Sequence, residues 1–147
     1  MNILVSACLL GVRVRYDGAS KTHEDVRSLM ERHCLIPVCA EVYGGLPTPR
    51  IPAERVGNRV VTKDGRDVTA QYVRGAEEIV RLARMYGCTL AILKERSPSC
   101  GRGLIYDGTH TGTLTDGNGV LAEMLMKAGV RIIGESEIAG MIQRDEL

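Results

Sequence analysis

Four short apolar runs punctuate the chain: Ile3-Leu4-Val5, Leu35-Ile36-Pro37-Val38, Leu90-Ala91-Ile92-Leu93 and Val130-Arg131-Ile132-Ile133. Runs this short, with so little polar alternation, suit strands buried on both faces of a parallel sheet. Helix-spaced segments lie between and after them. The first is His23 to Arg32, entered through Thr22. The second is Val68 to Tyr86, which sets Val73, Ala76, Val80 and Ala83 in one stripe and stops at Gly87. Val120 to Ala128, ended by Gly129, and Glu135 to Arg144 complete the set. A β-α unit repeated four times predicts right-handed crossovers and helices on both sides of the strands. The fold class expected is therefore α/β, a Rossmann-like three-layer sandwich with a mainly parallel sheet.

Two stretches interrupt that rhythm. Gly44 to Thr69 is rich in Gly and Pro, and Arg59-Val60-Val61-Thr62 followed by Lys63-Asp64-Gly65 predicts a small hairpin insertion. Ser97 to Gly119 is glycine-rich and predicts a short strand at Leu104-Ile105-Tyr106. Neither stretch looks like a linker and no repeat is visible, so residues 1–147 read as a single domain.

Charge and aromatic content narrow the partners. The chain has 19 Lys and Arg against 18 Asp and Glu, a net charge of +1, so the total carries no field for a polyanion. Phe and Trp are absent, which leaves only Tyr for stacking on bases and argues against a nucleic-acid partner. No apolar run is long enough to span a membrane, and Asn2-Ile3-Leu4-Val5 does not resemble a signal segment. The expected localisation is cytoplasmic, where thiols stay reduced. The five cysteines then read as metal ligands, catalysts or buried thiols, not disulfides.

Three of them hold matching positions. Cys8 follows the first apolar run within SACLLG, Cys39 the second within VCAEVYGG, and Cys100 the third within SPSCG. The carboxyl ends of parallel strands face one crevice where ligands bind, so these thiols are expected to converge there. Cys34, at a helix end, and Cys88, after Gly87, are read as buried structural thiols on the opposite edge. Three thiolates point to a soft metal centre, zinc or iron–sulfur. A structural zinc site takes four closed ligands, and paired Cys-x-x-Cys spacing is missing here. His23 and His33 fall on the first helix, where a solvated face explains them; His110 is the only candidate fourth ligand. A 4Fe–4S cluster held by three thiolates would leave one iron open, as a Lewis acid.

Ionisable groups flank these cysteines. Glu41 lies just past Cys39 and Ser97 just before Cys100; a carboxylate can move a proton, and a hydroxyl can relay one or attack. Lys94, just before Cys100, and Asp17, in RVRYDG beyond Cys8, are candidate substrate-binding groups.

The strings SACLLGVRVRYDG, PVCAEVYGGLPTPRIPAE, DVTAQYVRGAEE, LAILKERSPSCG and IYDGTHTGTLTDGNGV occur here in that order, from Ile3 to Gly129. Together they resemble the short thiouracil desulfidases. The resemblance implies a 4Fe–4S cluster bound by the residues at Cys8, Cys39 and Cys100. It also implies Glu41 and Ser97 as the acid–base pair, and non-redox removal of sulfur from thiolated uracil, giving uracil and sulfide. The sulfur of a small thiolated pyrimidine, 2- or 4-thiouracil, would then meet the open iron. Two positions depart from that pattern: Ala40 stands where the family usually has proline, and His110 where an apolar aromatic is expected. Two other readings compete. A tRNA-thiolating enzyme would need a basic RNA-binding surface. A metal- or redox-sensing module would need exposed thiols but neither Glu41 nor Ser97.

Overall fold

The computed structural model describes residues 1–147. Along the chain run β1 (Asn2–Ser6), α1 (Glu24–Ser28), β2 (Cys34–Val38), α2 (Ala40–Tyr43), β3 (Ala53–Val56), β4 (Arg59–Thr62) and α3 (Thr69–Met85). There follow β5 (Leu90–Leu93), β6 (Leu104–Tyr106), β7 (Leu114–Asp116), α4 (Val120–Lys127), β8 (Arg131–Gly134) and α5 (Ile138–Gln143). The four apolar runs form one parallel sheet in the order β2-β1-β5-β8, with Leu4 pairing Ile36 on one side and Ala91 on the other. No helix is long and apolar enough to cross a membrane.

Side chains alternate across the pleat and so divide the core between two faces. Leu4, Ala91, Leu93 and Ile132 pack with Ala76, Ile79 and Ala83 of α3 and with Leu121 and Leu125 of α4. Ile3, Val5, Ile92 and Ile133 pack on the other face with Val26 of α1 and with Ile138 and Met141 of α5. These are the three layers of the expected α/β sandwich. β5 is buried at every position, whereas β2, at the sheet edge, is only partly covered; Pro37 is tolerated there because an edge strand leaves one side unpaired.

Some local readings shift. The first helix is a single α-turn prolonged by a 3₁₀ turn at Leu29–Glu31, and its N-cap is His23, with no side-chain bond from Thr22. His33 lies beyond it, at the approach to β2. The last helix likewise begins as a 3₁₀ turn at Glu135–Glu137. The chain does fold back after Thr62 at Lys63–Gly65, where Asp67 bridges Val61 antiparallel, and β4 also pairs antiparallel with β3 across a turn at Gly57 and Asn58. Hydrophobic alternation in Ala53–Val56 is too weak to mark a strand by itself. β6 acquires a partner, β7, for the same reason.

The short helix α2, not anticipated, is fixed by contact without side chains. A β-carbon on Gly75 of α3 would stand 1.7 Å from the Ala40 carbonyl oxygen, and one on Gly44 would stand 1.9 Å from that of Gln71. Backbone therefore rests on backbone, which only glycine permits. Ala40 is 1% exposed in that joint.

Candidate active site

Each of the three cysteines is held by a different local device. After β1 the chain tightens into a 3₁₀ turn, Ala7–Leu10, that carries Cys8 and ends at Gly11 with φ of 100°. Cys39 follows β2 directly, in extended conformation, as the N-cap residue of α2. Cys100 sits in the loop after β5, and that loop is gripped by α4. The amides of Gly119, Val120 and Leu121 donate to the carbonyls of Gly101, Pro98 and Ser99 at 2.7, 2.9 and 2.8 Å. The first turn of a helix has no partners of its own for such groups, so α4 and the cysteine loop complete each other.

All three thiols line one cavity of about 610 Å³ at the carboxyl ends of the strands. All are free. Burial is the main cause that pushes Cys8 up to about 11 and Cys100 up to about 12, and it raises Cys39 as well. Proximity adds to this: Cys39 raises Cys8, and both raise Cys100. Against that, the Ser6 hydroxyl donates to Cys100 Sγ at 3.3 Å. No three of the chain's His, Cys, Asp and Glu groups gather closely enough to share a single ion. A cluster puts its thiolates on different metal atoms, so three soft donors spread around one cavity fit it better than they fit one zinc.

Beside the thiols runs a directed chain of hydrogen bonds. Glu41, on α2, accepts from Ser99 Oγ at 3.0 Å, and Ser99 Oγ lies 3.0 Å from Ser97 Oγ. With its proton given to Glu41, Ser99 can only accept from Ser97. Ser97 Oγ in turn accepts the amides of Ser99 and Cys100 at 3.1 and 3.2 Å. The other carboxylate oxygen of Glu41 takes Arg50 Nε at 3.0 Å, in an ion pair whose side chains are 6% and 15% exposed. Tyr72 of α3, 1% exposed, faces Glu41; burial and the neighbouring carboxylate hold its phenol protonated.

The structure brings Cys8, Cys39, Cys100, Glu41, Ser97 and Lys94 to the same cavity. Lys94 is already engaged there, with Nζ 2.7 Å from Glu135 Oε1. Asp17 is not on the lining: it accepts the Ala19 amide at 3.0 Å and faces Arg15, which is on the lining, at 3.6 Å. His110 also lines the cavity and pairs with Glu54, not with the thiols. Cys88 is buried, as expected, but Cys34 begins edge strand β2 and is exposed, because no layer covers that end of the strand. Three contributors escaped the sequence reading. Arg50 closes LPTPR, Ser99 sits inside SPSCG, and Tyr72 lies on a helical stripe that reads as plain core.

The family model of the 2-thiouracil desulfurases matches residues 3–137. The chain is 41% identical to the uncharacterized protein YbbK of Bacillus subtilis (strain 168) over 146 residues, covering 92% of this chain and 97% of the relative. Among solved structures it is similar to the [4Fe-4S]-dependent thiouracil desulfidase TudS. That match has a TM-score of 0.88 and 44% identity, covering 99% of this chain and 97% of the other.

Proposed function

Since the chain belongs to the 2-thiouracil desulfurase family, we propose that it removes sulfur from free thiolated uracil, 2- or 4-thiouracil. A 4Fe–4S cluster would be held by Cys8, Cys39 and Cys100. Water oxygen replaces the sulfur, so the products are uracil and sulfide and no electrons are exchanged. When bound, the cluster supplies a soft Lewis acid, through an iron without a cysteine ligand, suited to a thiocarbonyl sulfur.

The protein's part is proton handling and placement. Glu41 is the base that takes the proton of the attacking water, either directly or relayed through Ser97 and Ser99. Two backbone amides already point at Ser97 Oγ, so the oxygen is stabilised as its proton leaves. Arg50 keeps the Glu41 carboxylate aimed at Ser99, and the Tyr72 phenol stands beside that carboxylate as a donor. Lys94, held by Glu135, presents positive charge to the substrate, and Asp17 acts by orienting Arg15 on the wall.

The observation that carries this reading is the shared cavity: three free thiols and the Glu41–Ser99–Ser97 chain open onto the same space. Neither a sensor nor a bare electron carrier needs that proton path. The deciding experiment is anaerobic reconstitution with iron and sulfide, followed by assay of 2- and 4-thiouracil for uracil and released sulfide. Loaded protein that leaves both compounds intact overturns the proposal and favours the thiolation or sensor reading.

A further inference from the structure

The wall built by the two hairpins carries a pair that the proton path does not use. His110 and Glu54 both line the cavity, with side chains 18% and 13% exposed. Glu54 Oε1 accepts the amides of Gly108 and His110 at 3.0 and 3.1 Å, while Oε2 stands 3.6 Å from His110 Nδ1. The carboxylate thus fixes the backbone through two hydrogen bonds and lies beside Nδ1 of the ring. His110 has φ of 58°, a left-handed conformation that is uncommon for a non-glycine residue and persists where surroundings enforce it.

Those surroundings are rigid. Asp107 accepts the Thr109 amide and hydroxyl at 2.9 and 2.6 Å, and the hydroxyls of Thr109, Thr111 and Thr113 continue as a ladder. The Asp107 amide closes the loop onto the Thr113 carbonyl at 2.9 Å. Gly108 lies so close to Val56 of β3 that a β-carbon would stand 2.1 Å from its methyl. The loop is therefore clamped at its base, to its own strands and to the neighbouring hairpin. A carboxylate beside one nitrogen of a neutral imidazole favours the proton on that nitrogen and leaves the other as an acceptor. With Nδ1 turned to Glu54, Nε2 is the nitrogen left for the cavity.

We infer that His110, oriented by Glu54, is a specificity residue that accepts a hydrogen bond from a ring N–H of the pyrimidine. This rests on the proposed desulfidase reading but concerns how the ring is read, not how sulfur leaves. The test uses cluster-loaded protein and calorimetric binding of uracil, 1-methyluracil and 3-methyluracil, with desulfuration of thiouracil measured separately. His110→Phe keeps a planar ring without the acceptor and should weaken uracil binding and raise KM by about three- to ten-fold, with kcat within two-fold. Methylating the nitrogen that His110 reads should weaken binding to wild type but cost nothing further in the variant. Glu54→Gln, which retains an acceptor for the two amides but loses the charge, should give the same direction if His110→Phe folds poorly. Uracil binding unchanged in both variants, a methylation penalty that persists in His110→Phe, or wild type that does not bind uracil would each overturn the inference. Wild type that binds uracil through His110 yet releases no sulfide would leave the inference standing and remove the desulfidase reading instead.

Discussion

Arg50 points each guanidinium nitrogen at an oxygen: Nε at Glu41, Nη1 at Pro47 O and Thr48 Oγ1, Nη2 at Val14 O. It thereby ties the loops after β1 and α2 to the base. Arg50→Ala leaves Glu41 buried without its counter-charge, which should cost about 3–5 kcal/mol in thermal or denaturant unfolding of the metal-free protein. Arg50→Lys should recover only part of this, since an ammonium cannot fill the fork. Melting of both variants alongside wild type would show the pair to be dispensable. For the proton path, Glu41→Gln, Ser97→Ala and Ser99→Ala should each keep iron but lose at least about 10²-fold in turnover per cluster. Normal turnover in Ser99→Ala would mean Glu41 reaches the attacking oxygen without it. Glu41 and Ser97 were legible because each flanks a cysteine. Ser99 was not, since which hydroxyl stands between two others depends on how the loop turns.

Among the elements, α2 has four residues and owes its position to the glycines beneath it. Glycine inside a helix is normally worse than alanine by roughly 1 kcal/mol, so Gly75→Ala would stabilise an isolated α3. In the protein it should do the reverse, pushing α2 outward with Cys39 and Glu41, lowering both the melting temperature and iron loading. Gly140→Ala in α5 is the control. There the added carbon meets only the movable end of Arg144 at 3.0 Å, so loading should stay at the wild-type level. Equal iron in the two variants would detach the site from the α2–α3 joint. The long, strongly periodic α3 was readable within a residue at each end. α2 was not, because a single turn has no period to read and its support comes from residues about thirty positions away.

At the scale of the molecule, Cys8, Cys39 and Cys100 come from three separate strand ends, and the metal centre exists only if all three meet. Cys8→Ser, Cys39→Ser and Cys100→Ser should each abolish iron–sulfur loading, since two thiolates are too few to hold a cluster. Cys34→Ser and Cys88→Ser should load normally, with Cys88→Ser somewhat less stable because its site is 6% exposed. Iron content and visible absorbance after anaerobic reconstitution decide this, and a uniform result across all five would place the metal elsewhere. The order of apolar runs and helical stripes determined the layered α/β fold, because hydrophobic period is a local property and parallel strands must bury both faces. The same order determined that the three cysteines share an edge. Tertiary structure alone decided that Arg50, Ser99 and Tyr72 surround Glu41, that His110 turns to Glu54, and that Cys34 stays exposed. Such contacts join residues far apart in sequence, and they depend on backbone approaches of a few ångströms that no local pattern encodes.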